Sequence, residues 1–402
     1  MIGGIRVGPI GVSSNGRHFV DGGGEPFFWL GDTQWELFRA FTLADAETIL
    51  KDRGRKGFTV IQVMLTGVGD GTRANVNGHT PWVDHEPATP DDRYFAHVDS
   101  VMQLSRESGL VLVVGVFHQL QASHITIAKA RAYARWLARR YRDVPNLVWT
   151  MYPKAEPAFV PIVRELAVGL QEGDGGTHLI GVHPDPSPAS SSFIHPEPWL
   201  SFNSIQTWAR TDLIRPMVAH DYALEPTKPV VMAEGAYEAG PEYGFEVTPL
   251  WVRRQAYWTC LAGGHHSYGH NDAWRLPPTW RNALGAPGAR QMSVLREVLT
   301  QRPGWWDLAP DSSLVAACLD GDPALTVAAC SRAGDWALVY LGGSAAVSVR
   351  MDALGAASEV EASWVAPTTG ETMAAGVFGS TATPGFSTPR GWDDALLLLE
   401  AR

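Results

Sequence analysis

Residues 110–117 read LVLVVGVF, and the chain passes at once from this run to His118 and Gln119. An unbroken apolar, β-branched run is what a strand of a parallel sheet looks like, because helices cover both of its faces. Seven more runs of this kind lie on either side, at residues 27–30, 60–65, 147–151, 179–182, 201–205, 230–233 and 266–268, the last the weakest. The stretches between them carry helical patterns. Thr42 with Asp45 three residues on resembles a capping box, and residues 127–142 place Ala130, Ala134, Leu137 and Tyr141 on one face. Eight strand–helix units in succession are expected to close into a (β/α)8 TIM barrel rather than a doubly wound sheet.

The length of 402 residues suits such a barrel plus an appendage. With 45% hydrophobic and 18% charged residues the chain is neither disordered nor a coiled coil, and no apolar run reaches the ~18 residues of a membrane span. The net charge of −10 argues against nucleic acid as a partner. The three cysteines, Cys260, Cys318 and Cys330, are too few and too scattered for a disulfide framework or a structural zinc site. The first residues, MIGGIRV, lack the basic flank, apolar stretch and cleavage site of a secretory signal, so a cytoplasmic protein is expected. Sixteen tryptophans are unusual. Exposed Trp is what sugar-binding clefts use, since apolar sugar faces stack on aromatic rings, although most Trp in any protein are core.

After Trp306 the pattern changes to short strands separated by Gly, Pro and Asp turns, at 314–319, 325–331, 336–341, 346–351, 363–365 and 395–399. This reads as a small antiparallel β-sandwich, which divides the chain into a barrel over 1–305 and a sandwich over 306–402. Residues 11–19, with Ser14, Asn15 and Gly16 at the turn, read as a hairpin closing the barrel floor. Two long loops, 66–92 and 183–198, follow the second and fifth strands and are expected over the barrel mouth.

A barrel carries its chemistry at the C-terminal ends of its strands. The residues just past each run include Asp32, Thr33 and Trp35; Gln62 and Asp70; His118 and Gln119; Lys154 and Glu156; His183; Asn203 and Gln206; Glu234; and His265, His266, Tyr268, His270 and Asn271. Carboxylates, amides, imidazoles and Trp at one end are the groups that grip a sugar and protonate a glycosidic oxygen. Glu234 stands out because KPVVMAE (228–234) delivers a carboxylate straight off an apolar strand. It reads as a nucleophile or general base, whereas Glu238 reads as a solvated loop residue. For a second carboxyl the fourth strand offers Glu156, two residues after Lys154. Either Glu156 is the acid or the two form a surface pair. His265, His266 and His270 do not make a metal site, since neighbours on a strand face opposite ways. No metal and no cofactor are expected.

At these residues the chain resembles the DUF4038, or apiosidase-like, glycoside hydrolases of the family 140 type. The resemblance rests on FFWLGDTQWELF (27–38), KGFTVIQ (56–62), GLQEGDGGTHLI (169–180), PVVMAEGAYE (229–238) and AYWTCLAGGHHSYGHN (256–271). It implies a (β/α)8 barrel followed by a small β domain that carries a collagen-binding label. It also implies a retaining hydrolase of terminal sugars, with pentofuranosides such as apiosides the known type, and Glu234 matches the family's catalytic glutamate. The fourth strand departs from the pattern. Where the family has Gly-Gly-Asp with that Asp as acid/base, an ungapped reading from Trp149 puts Tyr152, Pro153 and Lys154.

Three alternatives follow: Glu156 reaches the site, another residue such as Asp70 protonates the leaving group, or cleavage has been lost. The expectation is an exo-acting O-glycoside hydrolase using Glu234 and Glu156. Asp32, Trp35, Asp70, His118, Gln206, His266, Tyr268 and Asn271 would line its sugar subsite. The competing reading is a carbohydrate-binding protein without turnover. The expected partner is a carbohydrate or glycoside; neither nucleic acid nor membrane is expected.

Overall fold

The computed structural model describes residues 8–152, 157–355 and 358–402. Among these, seven strands form one parallel sheet in the spatial order fourth, third, second, first, eighth, seventh and sixth of the barrel. They are Leu147–Tyr152, Val111–His118, Val60–Met64, Leu30–Thr33, His265–Tyr268, Val230–Gly235 and Asn203–Trp208. The first and eighth strands pair in parallel, His266 opposite Leu30, so the sheet curls round on that side.

The fifth position is taken by an extended segment, 179–183, rather than a full strand. Trp149 N–H donates to Leu179 O, Gly181 N–H to Trp149 O and His183 N–H to Met151 O, which fixes it to the fourth strand. Towards the sixth strand it makes few bonds, among them Ser201 N–H to Ile180 O. Pro184 and Pro186 then remove two donors, and Ser187 and Ser190 bond to the sixth strand in their place.

The floor is a three-stranded antiparallel sheet of Gly11–Val12, Phe19–Val20 and Pro26–Phe27. The apolar run at 27–30 is thus shared between two sheets, and the barrel strand proper starts at Leu30. Phe19, Trp29, Val60, Val113, Val148, Phe202 and Val231 fill the lower barrel as one cluster. Helices such as Leu43–Arg55, Asp92–Glu107 and Ile127–Tyr141 lie outside the strands; Thr42 caps the first by accepting from Asp45 N–H. None of the described helices is long and apolar enough to cross a membrane.

Beyond Trp306 two antiparallel sheets face each other. One has six strands, in the order Leu308–Pro310, Thr326–Ser331, Trp336–Leu341, Ala395–Ala401, Glu359–Val365 and Thr372–Gly379. The other has Val315–Asp320, Ala346–Val349 and Gly385–Ser387. Side chains alternate across the larger sheet. Val339, Leu341, Leu397 and Leu399 face the smaller sheet, while Leu338, Tyr340, Leu396 and Leu398 join the core of the barrel.

Candidate active site

The seventh strand, buried along its length, brings Glu234 to the C-terminal mouth opposite Gln206 of the sixth. The pairing of these two strands is irregular between Ile205 and Trp208: one extra residue on the seventh, Ala233, and then one on the sixth, Thr207, re-aim both strand ends. Trp208 emerges with φ of 49°, in the left-handed region that a bulky residue seldom adopts. The residue is 42% exposed, and its indole Nε1–H donates to Glu234 Oε1 at 3.2 Å.

These groups bound a cavity of about 160 Å³ whose walls include Trp35, His118, Tyr152, Trp208, Glu234 and Tyr237, with Glu242 and the stacked pair Trp274 and Arg275 towards the rim. Burial raises the Glu234 pKa from 4.5 to about 7; hydrogen bonds from Tyr237 and Trp208 oppose the rise, and the charges of Asp185 and Glu242 add to it. Tyr237 is fixed in turn by Trp35, whose indole donates to its hydroxyl at 2.7 Å. Gly269 makes room for that ring, since a Cβ there would run into it.

His118 accepts from Leu120 N–H at Nδ1, so in the neutral ring Nε2 carries the proton. Burial pushes its pKa down to about 4, which keeps it neutral. Tyr152 stacks on His118 at 5.2 Å, and its hydroxyl donates to Gln206 at 3.4 Å. A desolvated carboxyl, neutral donors and aromatic walls form the equipment for holding a sugar ring against a reactive oxygen.

Of the residues read from the sequence, Glu234, Trp35 and His118 meet in this wall, with Gln206 against Tyr152. Glu156 and Lys154 lie outside the described residues. The other expected subsite residues are placed elsewhere. Asp32 points away from the barrel axis, binding Arg53 of helix Leu43–Arg55 at 2.7 Å and Gln34 at 2.8 Å. Tyr268 sits beside it in register, its hydroxyl donating to Glu238 at 2.6 Å. The reason is the period of two: Trp29 and His265 face Phe19 in the interior, so Asp32, His266 and Tyr268 fall on the helix side.

His266 is buried, with its pKa pushed down to about 3. Asn271 opens the short helix Asn271–Arg275, where His270 is the N-cap, and donates to Asp272. Asp70 is exposed; hydrogen bonds from Thr72 hold its pKa below the usual carboxylate value, which makes it a poor proton donor. Glu238 is not solvated but 5% exposed, accepting from Gly288 N–H at the start of helix Pro287–Thr300.

The reading from sequence passed over Tyr152, Trp208, Tyr237, Glu242, Trp274 and Arg275 as site residues. The rule that selected His118 would have found the first three, which end or closely follow apolar strands. Glu242 lies in the single 3-10 turn Pro241–Tyr243 and Trp274 and Arg275 end the short helix Asn271–Arg275, elements too brief for a local pattern to announce.

The family model described as "Apiosidase-like, catalytic domain" matches residues 13–307, and one described as "Putative collagen-binding domain of a collagenase" matches 309–400. No curated protein matches in sequence. A solved structure titled glycoside hydrolase superposes with a TM-score of 0.89 at 25% identity, covering 98% of this chain and 97% of its own. A family 5 glycoside hydrolase from Bacteroides vulgatus gives 0.89 at 23% identity over 98% and 94%, and a family 5 mannosidase from Rhizomucor miehei gives 0.52 at 13% over 65% and 85%. These last two speak for the fold alone. Its matched length and the carboxyl at the mouth of its barrel make this chain a member of the apiosidase-like glycoside hydrolases.

Proposed function

We propose that this chain removes a terminal furanoside from its substrate by retaining double displacement. Glu234 attacks the anomeric carbon, and Glu156, four residues past the end of the fourth strand, serves as acid and base. The observation that carries the reading is the buried Glu234 carboxyl in the wall of a cavity of about 160 Å³, a size suited to one sugar rather than a stretch of polymer. Trp35, His118 and Gln206 hold the ring. We place the boundary between barrel and sandwich at 305–306 and, with all three cysteines unpaired, the protein in a reducing cytoplasm.

The test is release of aryl alcohol from a panel of aryl furanosides and pyranosides, with the configuration of the first-formed sugar read by NMR. Glu234→Gln is expected to abolish release. Glu156→Gln is expected to spare activated aryl glycosides and to slow an alkyl glycoside by about 10²–10⁴-fold, because only the poor leaving group needs the proton. Binding of a sugar by wild type with no release of any aglycone would replace the hydrolase reading with that of a carbohydrate-binding protein.

A further inference from the structure

His183 is a buried titratable group against Glu234 that the reaction above does not use. It ends the extended segment 179–183, is 1% exposed, and stands behind the cavity wall rather than in it. Its Nε2 lies 3.5 Å from Glu234 Oε2. Its Nδ1 lies 3.0 Å from Pro184 O, and since a carbonyl only accepts, Nδ1 carries the proton of the neutral ring and Nε2 presents a lone pair. Among the described residues no other group satisfies that lone pair. Tyr152 packs edge-on at 4.4 Å and Trp35 at 5.3 Å, so the ring cannot turn to offer a different face. Two lone pairs facing each other in so buried a place are unfavourable, and a proton between them removes the conflict.

We propose that His183 is the positioning residue for Glu234, its Nε2 accepting a hydrogen bond from the Glu234 carboxyl so that the two side chains hold one proton between them behind the sugar cavity. This bond turns Oε2 inward and leaves Oε1 with the Trp208 indole. Before Glu234 attacks, the Oε2–H bond breaks and its proton is released to water, so the reactive form is the one from which the shared proton has gone.

The surroundings agree. Burial pushes His183 down to about 3, which excludes an imidazolium partner at neutral pH. The charges of Asp185 and Glu242 favour a protonated Glu234, while Tyr237 and Trp208 favour the ionised form. Tyr152 and Tyr243, also near the carboxyl, are held protonated by burial. His118, behind Tyr152, is neutral, and Arg275 acts on the site through its pair with Glu242 at 3.0 Å.

The positioning role rests on Glu234 as the reacting carboxyl, but its test needs no turnover. With ¹⁵N-histidine label, and His183→Leu to assign the signals, the His183 ring should show a protonated Nδ1 and an unprotonated Nε2 between pH 6 and 8. Infrared difference spectra against Glu234→Gln should show the protonated carboxyl of Glu234 persisting to near-neutral pH in wild type. In His183→Leu its midpoint should fall by about one pH unit, roughly tenfold in the ratio of the two forms. An Nε2–H tautomer in wild type, or an unmoved midpoint in folded His183→Leu, overturns the proposal. If that variant does not fold, His183→Gln takes its place for the assignment, and the wild-type tautomer then decides. Should both spectra come out as expected while Glu234→Gln still cleaves glycosides, the assignment of the nucleophile falls and the shared proton stands.

Discussion

A carboxyl that stays protonated to about pH 7 weighs on the fold once it ionises. In the unfolded chain this glutamate titrates near its ordinary 4.5. The folded state binds the proton more tightly, so the stabilisation is fully present below pH 4.5 and is lost as pH rises through about 7. That gap corresponds to about 3 kcal/mol. Glu234→Gln cannot ionise. It should be more stable than wild type by up to about 3 kcal/mol above pH 8, with the advantage shrinking towards pH 4, as urea unfolding at the two pH values would show. A difference that does not change with pH would mean that Glu234 titrates as an ordinary glutamate. The same rule of reading strand ends pointed to Glu234, which lies in the cavity wall, and to Asp32, which lies on the helix side against Arg53. Which face an end residue takes depends on the parity of its strand and on any bulge before its end: Trp29 points inward and so sends Asp32 outward, whereas the extra residue Ala233 breaks the alternation just before Glu234.

At the scale of the element, the end of the sixth strand is bulged, and it is there that Trp208 meets Glu234. Trp208 is held in the left-handed region, which costs on the order of 1–3 kcal/mol, and there it supplies an N–H to Oε1. Trp208→Phe keeps an aromatic wall and loses the donor. Its kcat/KM should fall about tenfold, the worth of one hydrogen bond to a charged group. The indole favours the ionised carboxyl, so without it the acid limb of the pH–rate profile should move to higher pH, opposite to the shift expected for His183→Leu. A drop in rate with the limb unmoved would assign Trp208 to packing alone. The long apolar strands were legible because a parallel sheet covered by helices buries both faces of such a run. The fifth was legible as an apolar run, but the prolines after it deny it a full ladder. Thr372–Gly379 escaped notice because it is a largely exposed edge strand without alternation.

Across the whole molecule, the larger C-terminal sheet has no solvent side over its central strands. Leu338, Leu396 and Leu398 continue the barrel core, Tyr340 stacks on Tyr257 at 4.5 Å, and Arg253 makes two bonds to Asp394 at 2.8 and 2.7 Å. Tyr340 also donates to Asp394, so one carboxylate receives three hydrogen bonds in a joint that water does not reach. A boundary that the change of sequence pattern makes obvious is therefore invisible to packing. The two halves should unfold together in one transition by calorimetry and by tryptophan fluorescence. Asp394→Ala strands Arg253 without its partner in an apolar joint and should cost about 3–5 kcal/mol. Arg253→Leu combined with Asp394→Leu should cost less than that single change, because no charge is then left unpaired. Two separate transitions in wild type, or a double variant weaker than Asp394→Ala, would mean that the sandwich is tethered to the barrel rather than part of its core.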